Sequence, residues 1–249
     1  MALPPPENTI GSRFTELQQA GSTNDLAREQ IEEGRARHGD VLFTRNQTAG
    51  RGQMGKSWLS APNQNLAMTI LLETAELPDT RPFHLSVCSA LCCQQVLTEI
   101  TCGDNQIKWP NDLYWKSRKL GGLLIESGSG WQIVGIGINV NQTTFDTNLP
   151  NPVSLRQITG KELDPKTLAQ RITNALNEQI HIWRKDGFHP LLKQYRNQLF
   201  GKDASFTVRE NGKEKVIRIL DVGDEGALLI EEEGVQRSIV SGLEWIIRA

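Results

Sequence analysis

The sequence contains few of the features that mark secreted or membrane proteins. It has four cysteines in 249 residues, and three of them, Cys88, Cys92 and Cys93, share one apolar stretch with Cys102 close behind. This spacing suits neither a disulfide framework nor a metal site. No apolar segment is long enough to span a membrane, and no basic and apolar leader opens the chain. We therefore expect a soluble cytoplasmic protein with buried thiols and no membrane partner.

An excess of charge of either sign is also missing. Lysine and arginine total 27, aspartate and glutamate total 29, and the net charge is −2. Such a balance provides no general field for holding nucleic acid, so any cationic site has to be local. The chain is 38% hydrophobic, which permits one substantial core and a smaller second one.

The hydrophobic pattern predicts an α+β domain over residues 1–200. Helical spacing and cap residues predict helices at residues 22–34, 82–100, 165–187 and 189–199. Strands are predicted at residues 40–45, 65–73, 106–109, 113–115, 120–126 and 131–140. The expected result is a mixed, mostly antiparallel sheet packed with helices.

A second, smaller domain is predicted over residues 201–249. Its short strands, separated by turns, are expected at residues 205–209, 215–220, 227–231 and 236–240. This spacing is typical of a small β-barrel. Acidic pairs and runs at residues 224–225 and 231–233 oppose phosphate binding. We expect this domain to help close an active site or to dock a protein partner.

Residues 46–60, NQTAGRGQMGKSWLS, form the most informative segment. Gly50 and Gly52 allow backbone to approach a ligand without a Cβ atom in the way, and Arg51 and Lys56 add positive charge. This composition favours a loop that closes over an anionic ligand. The same loop matches the G-x-x-x-x-G-K-S pattern of a nucleotide P-loop. However, a P-loop requires a helix directly after the Lys-Ser pair, whereas Pro62 and Asn63 signal a turn here.

Four separated segments place polar residues or glycines where a simple core would require apolar residues. The segments are Ser-Thr-Asn at 22–24, Gln47 with the loop at 50–58, Lys-Trp-Pro-Asn-Asp at 108–112 with Arg-Lys-Leu-Gly-Gly at 118–122, and Gly-Ile-Gly-Ile-Asn at 135–139. Singly, each has an ordinary explanation as a cap, a turn, a solvated lysine or a packing glycine. In combination, order and spacing, they resemble the catalytic domain of biotin protein ligases.

The resemblance covers nearly the whole chain and implies the biotin–lipoyl ligase fold, which is related to class II synthetases, with an SH3-like barrel at the end. It also implies a two-step acyl transfer with biotin and ATP as substrates and Mg²⁺ as the accompanying ion. Biotin and ATP would give biotinyl-5′-adenylate and pyrophosphate. A lysine of the biotin carboxyl carrier protein of acetyl-CoA carboxylase would then take the biotinyl group. Formation of a homodimer is left open.

The family's motifs assign roles residue by residue. The implied biotin contacts are Ser22, Thr23, Asn24, Gln47, Gly50, Arg51, Gly52, Gln53, Lys119, Gly122 and Leu124, with Gly121 beside them. The implied ATP or adenylate contacts are Arg51, Gln53, Lys56, Trp58, Asn111, Asp112, Lys119 and Asn139.

Catalysis is implied for Lys119, Arg51 and Asp112. Lys119 would sit between biotin's carboxylate and the α-phosphate. Asp112 would either hold Mg²⁺ or orient Lys119 and water. Asn139 would read the adenine edge, and Trp58 would exclude water from the anhydride.

The glycine-rich loop departs from the family's commonest form, which has arginine where this chain has Gln53, Met54 and Lys56. A neutral hydrogen bond is about half as strong as a charge-assisted one, so we expect weaker retention of the adenylate. Many members also begin with a DNA-binding winged helix. Here about twenty residues precede Ser22, and three prolines at positions 4–6 favour an extended tail, so we expect no repressor activity and no nucleic-acid partner.

Two other functions remain as alternatives. A lipoate or octanoate ligase of similar fold would perform related chemistry, but its glycine-rich Arg-Arg and its His-Asp signatures are absent from the sequence. A biotin sensor would keep the pocket without turnover. Lys119 and Trp58 favour the enzyme, because a binding protein requires neither a cation beside the acid group nor a cover that excludes water.

Overall fold

The computed structural model describes residues 9–103 and 105–246. The tail predicted around the prolines at 4–6 lies outside the described residues. The helices of the described chain are α1 Thr23–Glu32, α2 Pro82–Thr101, α3 Leu155–Thr159, α4 Pro165–Asp186 and α5 His189–Asn197. The strands are β1 Phe14–Leu17, β2 Val41–Thr44, β3 Gly50–Arg51, β4 Ser57–Trp58, β5 Leu66–Glu73, β6 Asn105–Lys108, β7 Asp112–Trp115, β8 Arg118–Gly128, β9 Trp131–Ile138, β10 Ser205–Glu210, β11 Lys213–Val222, β12 Leu228–Glu232, β13 Val235–Ile239 and β14 Leu243–Trp245.

Seven strands form the main sheet, in the order β1-β2-β5-β9-β8-β7-β6. The pair β1–β2 is parallel, and the other neighbours are antiparallel. The prediction of a mixed, mostly antiparallel sheet packed with helices is confirmed. The sequence did not reveal β1, because its four residues are mostly half-buried and give little hydrophobic signal.

Helices α2 and α4 form the main core against one face of this sheet. Each begins with proline at the start of the helix, which favours initiation because the missing N–H has no partner there in any case. Leu91 and Leu176 are fully buried between the helices and the sheet. Helix α1 packs on the opposite face, where Ala27 contacts a small cluster with Leu42 and Ile133. The face that carries α1 also carries the candidate site.

Three of the four cysteines are buried in α2, as predicted. Burial raises the pKa of the Cys88 thiol, which keeps it protonated and unreactive. The prediction of a buried thiol is wrong for Cys102, which is exposed. It follows α2 in the left-handed conformation, at the point where the chain leaves the core.

The C-terminal strands form a separate five-stranded antiparallel sheet, in the order β13-β12-β11-β10-β14. Four of these strands were predicted, and β14 is too short to give a pattern. We call this unit the C-terminal sheet; its closure into an SH3-like barrel and the domain boundary at residue 200 stay predictions. It contacts the main domain through Trp109 Nε1, which donates to the Gly226 carbonyl at 2.8 Å. No helix in the described ranges has the length and apolar character needed to cross a membrane.

Candidate active site

The floor of the candidate site consists of glycines on two neighbouring strands in the middle of the main sheet. Gly137 of β9 pairs with Gly122 of β8. A Cβ atom at Gly135 would lie 2.3 Å from Asn24 Oδ1, and one at Gly137 would lie 2.6 Å from Trp58 Cε2. The missing side chains therefore allow α1 and the glycine-rich loop to lie directly against the sheet. We call this surface the glycine floor.

A buried polar wall stands at one end of the glycine floor, where α1 begins. Ser22 caps the helix, and the Thr23 amide donates to Gln47 Oε1 at 2.9 Å. Thr69 Oγ1 lies 2.8 Å from Thr23 Oγ1 and 2.7 Å from Asn24 Oδ1. Four of these residues were predicted from the sequence and are brought together here. Thr69 was missed, although a polar residue inside the buried run of β5 was a usable signal.

The Glu126 carboxylate accepts hydrogen bonds from one amide and two arginines at the edge of the site. It accepts from Asn24 Nδ2 at 2.8 Å, from Arg28 Nη2 at 2.7 Å and from Arg51 Nη2 at 2.8 Å. Arg51 also lies 2.7 Å from Asp25 Oδ1. The arginine assigned to biotin and catalysis is therefore held between two carboxylates beside the polar wall. Sequence reasoning missed Glu126 and Arg28, because nothing local links positions about a hundred residues apart.

The glycine-rich loop folds as a short hairpin in which Gly50 of β3 pairs with Trp58 of β4. Ser57 begins strand β4, and the next element along the chain is strand β5 rather than a helix. The P-loop interpretation is therefore wrong. Gln53 and Lys56 are exposed at the tip, with Gly52 beside them. The Trp58 ring lies on the glycine floor. Its Nε1 is buried and has no hydrogen-bond partner in the described part of the chain.

A group of three charges lies at the other end of the glycine floor. Lys119 Nζ lies 2.6 Å from Asp112 Oδ1, and Lys108 Nζ lies 3.7 Å from Asp112 Oδ2. A Cβ atom at Gly122 would lie 3.6 Å from Lys119 Nζ. Since Gly122 faces Gly137 across the strands, Lys119 and Trp58 border the same small area. The sequence-predicted segments therefore converge on one site.

Lys108 was not assigned a role from the sequence. Its side chain is only 12% exposed. Burial lowers its pKa to about 8, although the carboxylate of Asp112 opposes that change. The lysine belongs to a string noted in the sequence, but its burial results from the fold and leaves no local signal.

The two asparagines predicted to contact the nucleotide already use their side-chain NH₂ groups in hydrogen bonds within the protein. Asn111 Nδ2 donates to the Leu123 carbonyl, and Asn139 Nδ2 donates to the Val153 carbonyl at 3.1 Å. These bonds fix the turn before β7 and the end of β9. For reading an adenine edge, Asn139 therefore has its Oδ1 acceptor to offer rather than its amide hydrogens.

An open cavity of about 490 Å³ lies next to the start of β8 and is lined by Arg118, Asn151 and Pro152 among other residues. The Lys119 amide donates to the Asn151 carbonyl at 2.9 Å, and this bond holds β8 against the loop that lines the cavity. Arg118, which the sequence motif included without a role, supplies a cation to the lining. The lining does not include Lys119 itself.

We expect Gly135→Ala to weaken biotin binding at least tenfold, which corresponds to about 1.4 kcal/mol. The added methyl group would occupy the place of the Asn24 amide and disrupt the polar wall. Titration calorimetry with biotin measures the change. Gly128→Ala is the matched control, because it lies on β8 with nothing within 4 Å of its Cβ position. Equal affinities for the two variants would show that Asn24 does not shape the pocket.

Comparison with known proteins identifies the family of this chain. The family model described as the biotin/lipoate A/B protein ligase family matches residues 16–142, which is more than half of the chain. The chain belongs to this family. The match includes the polar wall, the glycine-rich hairpin, the three charges and the glycine floor.

Three individual proteins show which members of the family the chain is similar to. The bifunctional ligase/repressor BirA of Escherichia coli is 28% identical over 230 residues, which are 89% of this chain and 70% of that protein. The biotin–[acetyl-CoA-carboxylase] ligase of Mycobacterium tuberculosis is 26% identical over 220 residues, covering 87% and 82% of the two chains. The biotin protein ligase from Aquifex aeolicus, solved in complex with biotin and ATP, superposes with a TM-score of 0.81 at 26% identity, covering 95% of this chain and 98% of that one.

Proposed function

We propose that this chain is a biotin protein ligase. It activates biotin with ATP to biotinyl-5′-AMP and pyrophosphate, and it then transfers biotin to a lysine of a carrier domain. The observation that carries this proposal is the glycine floor with a neutral polar wall at one end and Lys119 beside Asp112 at the other. The relatives named as biotin ligases and the neighbour that binds biotin and ATP support it.

Biotin lies along the glycine floor with its two ends recognised differently. Its uncharged ureido ring has donors and acceptors, which Thr23, Asn24 and Gln47 match. Leu124, half-buried on β8, and the ring of Trp58 supply apolar contacts for the sulfur-containing ring and the chain. The carboxylate then points toward Lys119.

The first step requires that two anions approach each other. Lys119 contributes an ammonium group that attracts both the carboxylate and the α-phosphate, and Asp112 orients it. Lys56 on the hairpin adds positive charge near the nucleotide. Arg51 is paired with Asp25 and Glu126, and it contributes there only when it leaves these carboxylates. Proton transfer is not needed, because biotin reacts as a carboxylate and pyrophosphate leaves as an anion. Positioning and charge neutralisation therefore provide the rate enhancement.

Mg²⁺ enters this scheme with ATP. Among the described residues, no cluster of three or more His, Cys, Asp or Glu is arranged to hold a metal ion. Asp112, the proposed ligand, faces an ammonium group with each of its oxygens. Mg²⁺ in nucleotide sites is commonly held by one or two carboxylates together with phosphates and water. Asp112 would serve as a single protein ligand only after one of its two ammonium partners turned away, and the bound ion would then neutralise phosphate charge.

In the second step, the amine of an acceptor lysine attacks the carbonyl carbon of the adenylate, and AMP leaves. The acceptor is a biotin carboxyl carrier domain, with that of acetyl-CoA carboxylase as the first candidate, since the Mycobacterium relative is named for it. Trp58 keeps water from the anhydride until the amine arrives.

The direct test is incubation with biotin, MgATP and a purified biotin carboxyl carrier domain. Mass spectrometry is expected to show one biotinyl group on one lysine, and omission of the carrier should still leave biotin-dependent release of pyrophosphate. Transfer of lipoate in place of biotin would indicate the alternative ligase. Biotin binding without pyrophosphate would indicate a sensor. ATP hydrolysis that is independent of biotin would contradict both ligase functions.

We expect Gln53→Arg to slow the release of biotinyl-5′-AMP roughly fivefold, since a charge-assisted hydrogen bond is worth about 1 kcal/mol more than a neutral one. Residue 53 is exposed at the tip of the hairpin, so the longer side chain has room. A pulse-chase experiment with labelled biotin measures the release. Gln236→Arg, an exposed position on β13, is the control. An unchanged release rate in Gln53→Arg would show that this position does not retain the intermediate.

A further inference from the structure

Lys108 is enclosed by aromatic rings from both parts of the chain. Its Nζ lies 5.3 Å from the centre of the Tyr114 ring and 5.0 Å from the centre of the Trp245 ring. Both distances are within the range of cation–π attraction. Lys108 also faces Asp112, whose Oδ2 lies 3.7 Å away. Two rings therefore hold this ammonium group in place beside one oxygen of the carboxylate that also binds Lys119.

Trp245 is positioned by the C-terminal sheet. It pairs with Val208 across β14 and β10. Its ring centre lies 5.1 Å from that of Phe206 and 6.2 Å from that of Phe200. These contacts fix the position of the indole ring. The ring that covers Lys108 therefore belongs to the C-terminal sheet, whereas the active-site residues lie on the main sheet.

The charges around Asp112 compete with one another. Its Oδ1 lies 2.6 Å from Lys119 Nζ, while its Oδ2 faces Lys108. One carboxylate with two ammonium groups leaves one positive charge in excess. Without Lys108, the carboxylate and Lys119 would form a neutral pair, and Asp112 would hold Lys119 more strongly. With Lys108 present, Lys119 remains available to the two anionic groups that react.

We propose that Lys108 is a positioning residue for biotin activation, and that Trp245 is the residue through which the C-terminal sheet supports the active site. Lys108 shares the charge of Asp112, so that Lys119 can turn toward the carboxylate and the α-phosphate. Trp245 keeps Lys108 in place. This inference rests on the proposed ligase function.

The burial of Lys108 supports this role. Enclosure lowers its pKa to about 8, and the nearby ammonium groups of Lys119 and Lys56 act in the same direction, whereas Asp112 opposes them. A buried charge that is disfavoured in this way is weak evidence for a stabilising role, which leaves a role in the site.

The test compares Lys108→Met with Lys116→Met, a control in which the lysine also lies near an aromatic ring, 4.6 Å from the centre of Trp115, but at an exposed turn. Biotin-dependent pyrophosphate release is measured. Lys108→Met is expected to lower kcat at least tenfold, to leave KM for biotin within about threefold, and to leave Tm unchanged or raised. Lys108→Arg is expected to recover part of the rate, because it keeps the positive charge between the two rings. A kcat within twofold of wild type for Lys108→Met would overturn the proposal.

The role of Trp245 is tested by a double-mutant comparison. Trp245→Leu alone is expected to lower kcat at least threefold, and adding it to Lys108→Met is expected to cause no further loss, because both changes act through one ammonium group. Trp245→Phe keeps an aromatic face and is expected to retain most activity, which guards against a folding defect in Trp245→Leu. Multiplying losses in the double variant would overturn the link. Wild-type enzyme without biotin-dependent pyrophosphate release would contradict the ligase function itself, whereas active wild type with unimpaired Lys108→Met would overturn only this inference.

Discussion

Replacing Lys119 by alanine is expected to lower the rate of biotin adenylation about 1000-fold, in the range found when a donor that stabilises a transition-state anion is removed. The ammonium group of Lys119 is the cation beside Asp112 that can turn toward both reacting groups. Its backbone remains fixed, since the Lys119 amide donates to Asn151 and its carbonyl accepts from Val153 at 2.9 Å each. Single-turnover formation of biotinyl-5′-AMP measures the loss.

Lys116→Ala is the control for Lys119→Ala, because this lysine lies at the exposed turn of the same hairpin. The control is expected to keep wild-type rates, and both variants are expected to melt within a few degrees of wild type. Biotin affinity should change little in Lys119→Ala relative to the rate, since the polar wall is untouched. Adenylation by Lys119→Ala at more than a tenth of the wild-type rate would remove this lysine from the mechanism.

Replacing Leu91 by asparagine is expected to cost roughly 4 to 6 kcal/mol of unfolding free energy and to leave the chain largely unfolded at 37 °C. Leu91 is fully buried in the core formed by α2 and the main sheet. The amide would replace apolar contacts and find no hydrogen-bond partner there. Urea unfolding followed by circular dichroism measures the difference.

Ile182→Asn is the matched control for Leu91→Asn. It also replaces a helical apolar residue, but Ile182 of α4 is 37% exposed. Its cost is expected to stay below about 1 kcal/mol. Similar midpoints for the two variants would mean that α2 does not form the main core. A folded but inactive Leu91→Asn would also contradict this prediction, since its effect should act through stability.

The elements that the sequence predicted well carry strong and local signals. Helix α4 has an aspartate cap followed by proline and an apolar residue at each turn, and the apolar face of α2 runs for five turns. Strand β1 was missed because its mostly half-buried residues give little hydrophobic signal, and β14 was missed because it has only three residues. Helix α3 was missed although Ser154 and Gln157 form a capping box that could have revealed it.

The residues of the candidate site also fall into two groups, those that the sequence predicted and those that it did not. Motif residues such as Asn24, Trp58 and Lys119 were found from the sequence, because each lies in a short string of unusual composition. Their partners were not, since Glu126 reaches Asn24 and Trp245 reaches Lys108 only after the chain has folded. Sequence patterns report local geometry, whereas contacts between distant segments depend on sheet order and on how the C-terminal sheet packs.

Most of the glycine floor lies on β9, and this position limits how the enzyme's selectivity among carboxylic acid substrates can change. Every residue from Trp131 to Ile138 pairs with β5 on one side and with β8 on the other, so this strand cannot move without disturbing the centre of the sheet. Among the described residues, the strands of the hairpin from Gly50 to Trp58 pair with each other and with no other strand, and the hairpin rests on that surface. Acceptance of a wider or longer carboxylic acid would therefore evolve by replacing the hairpin and the start of α1, with the central strands inherited unchanged.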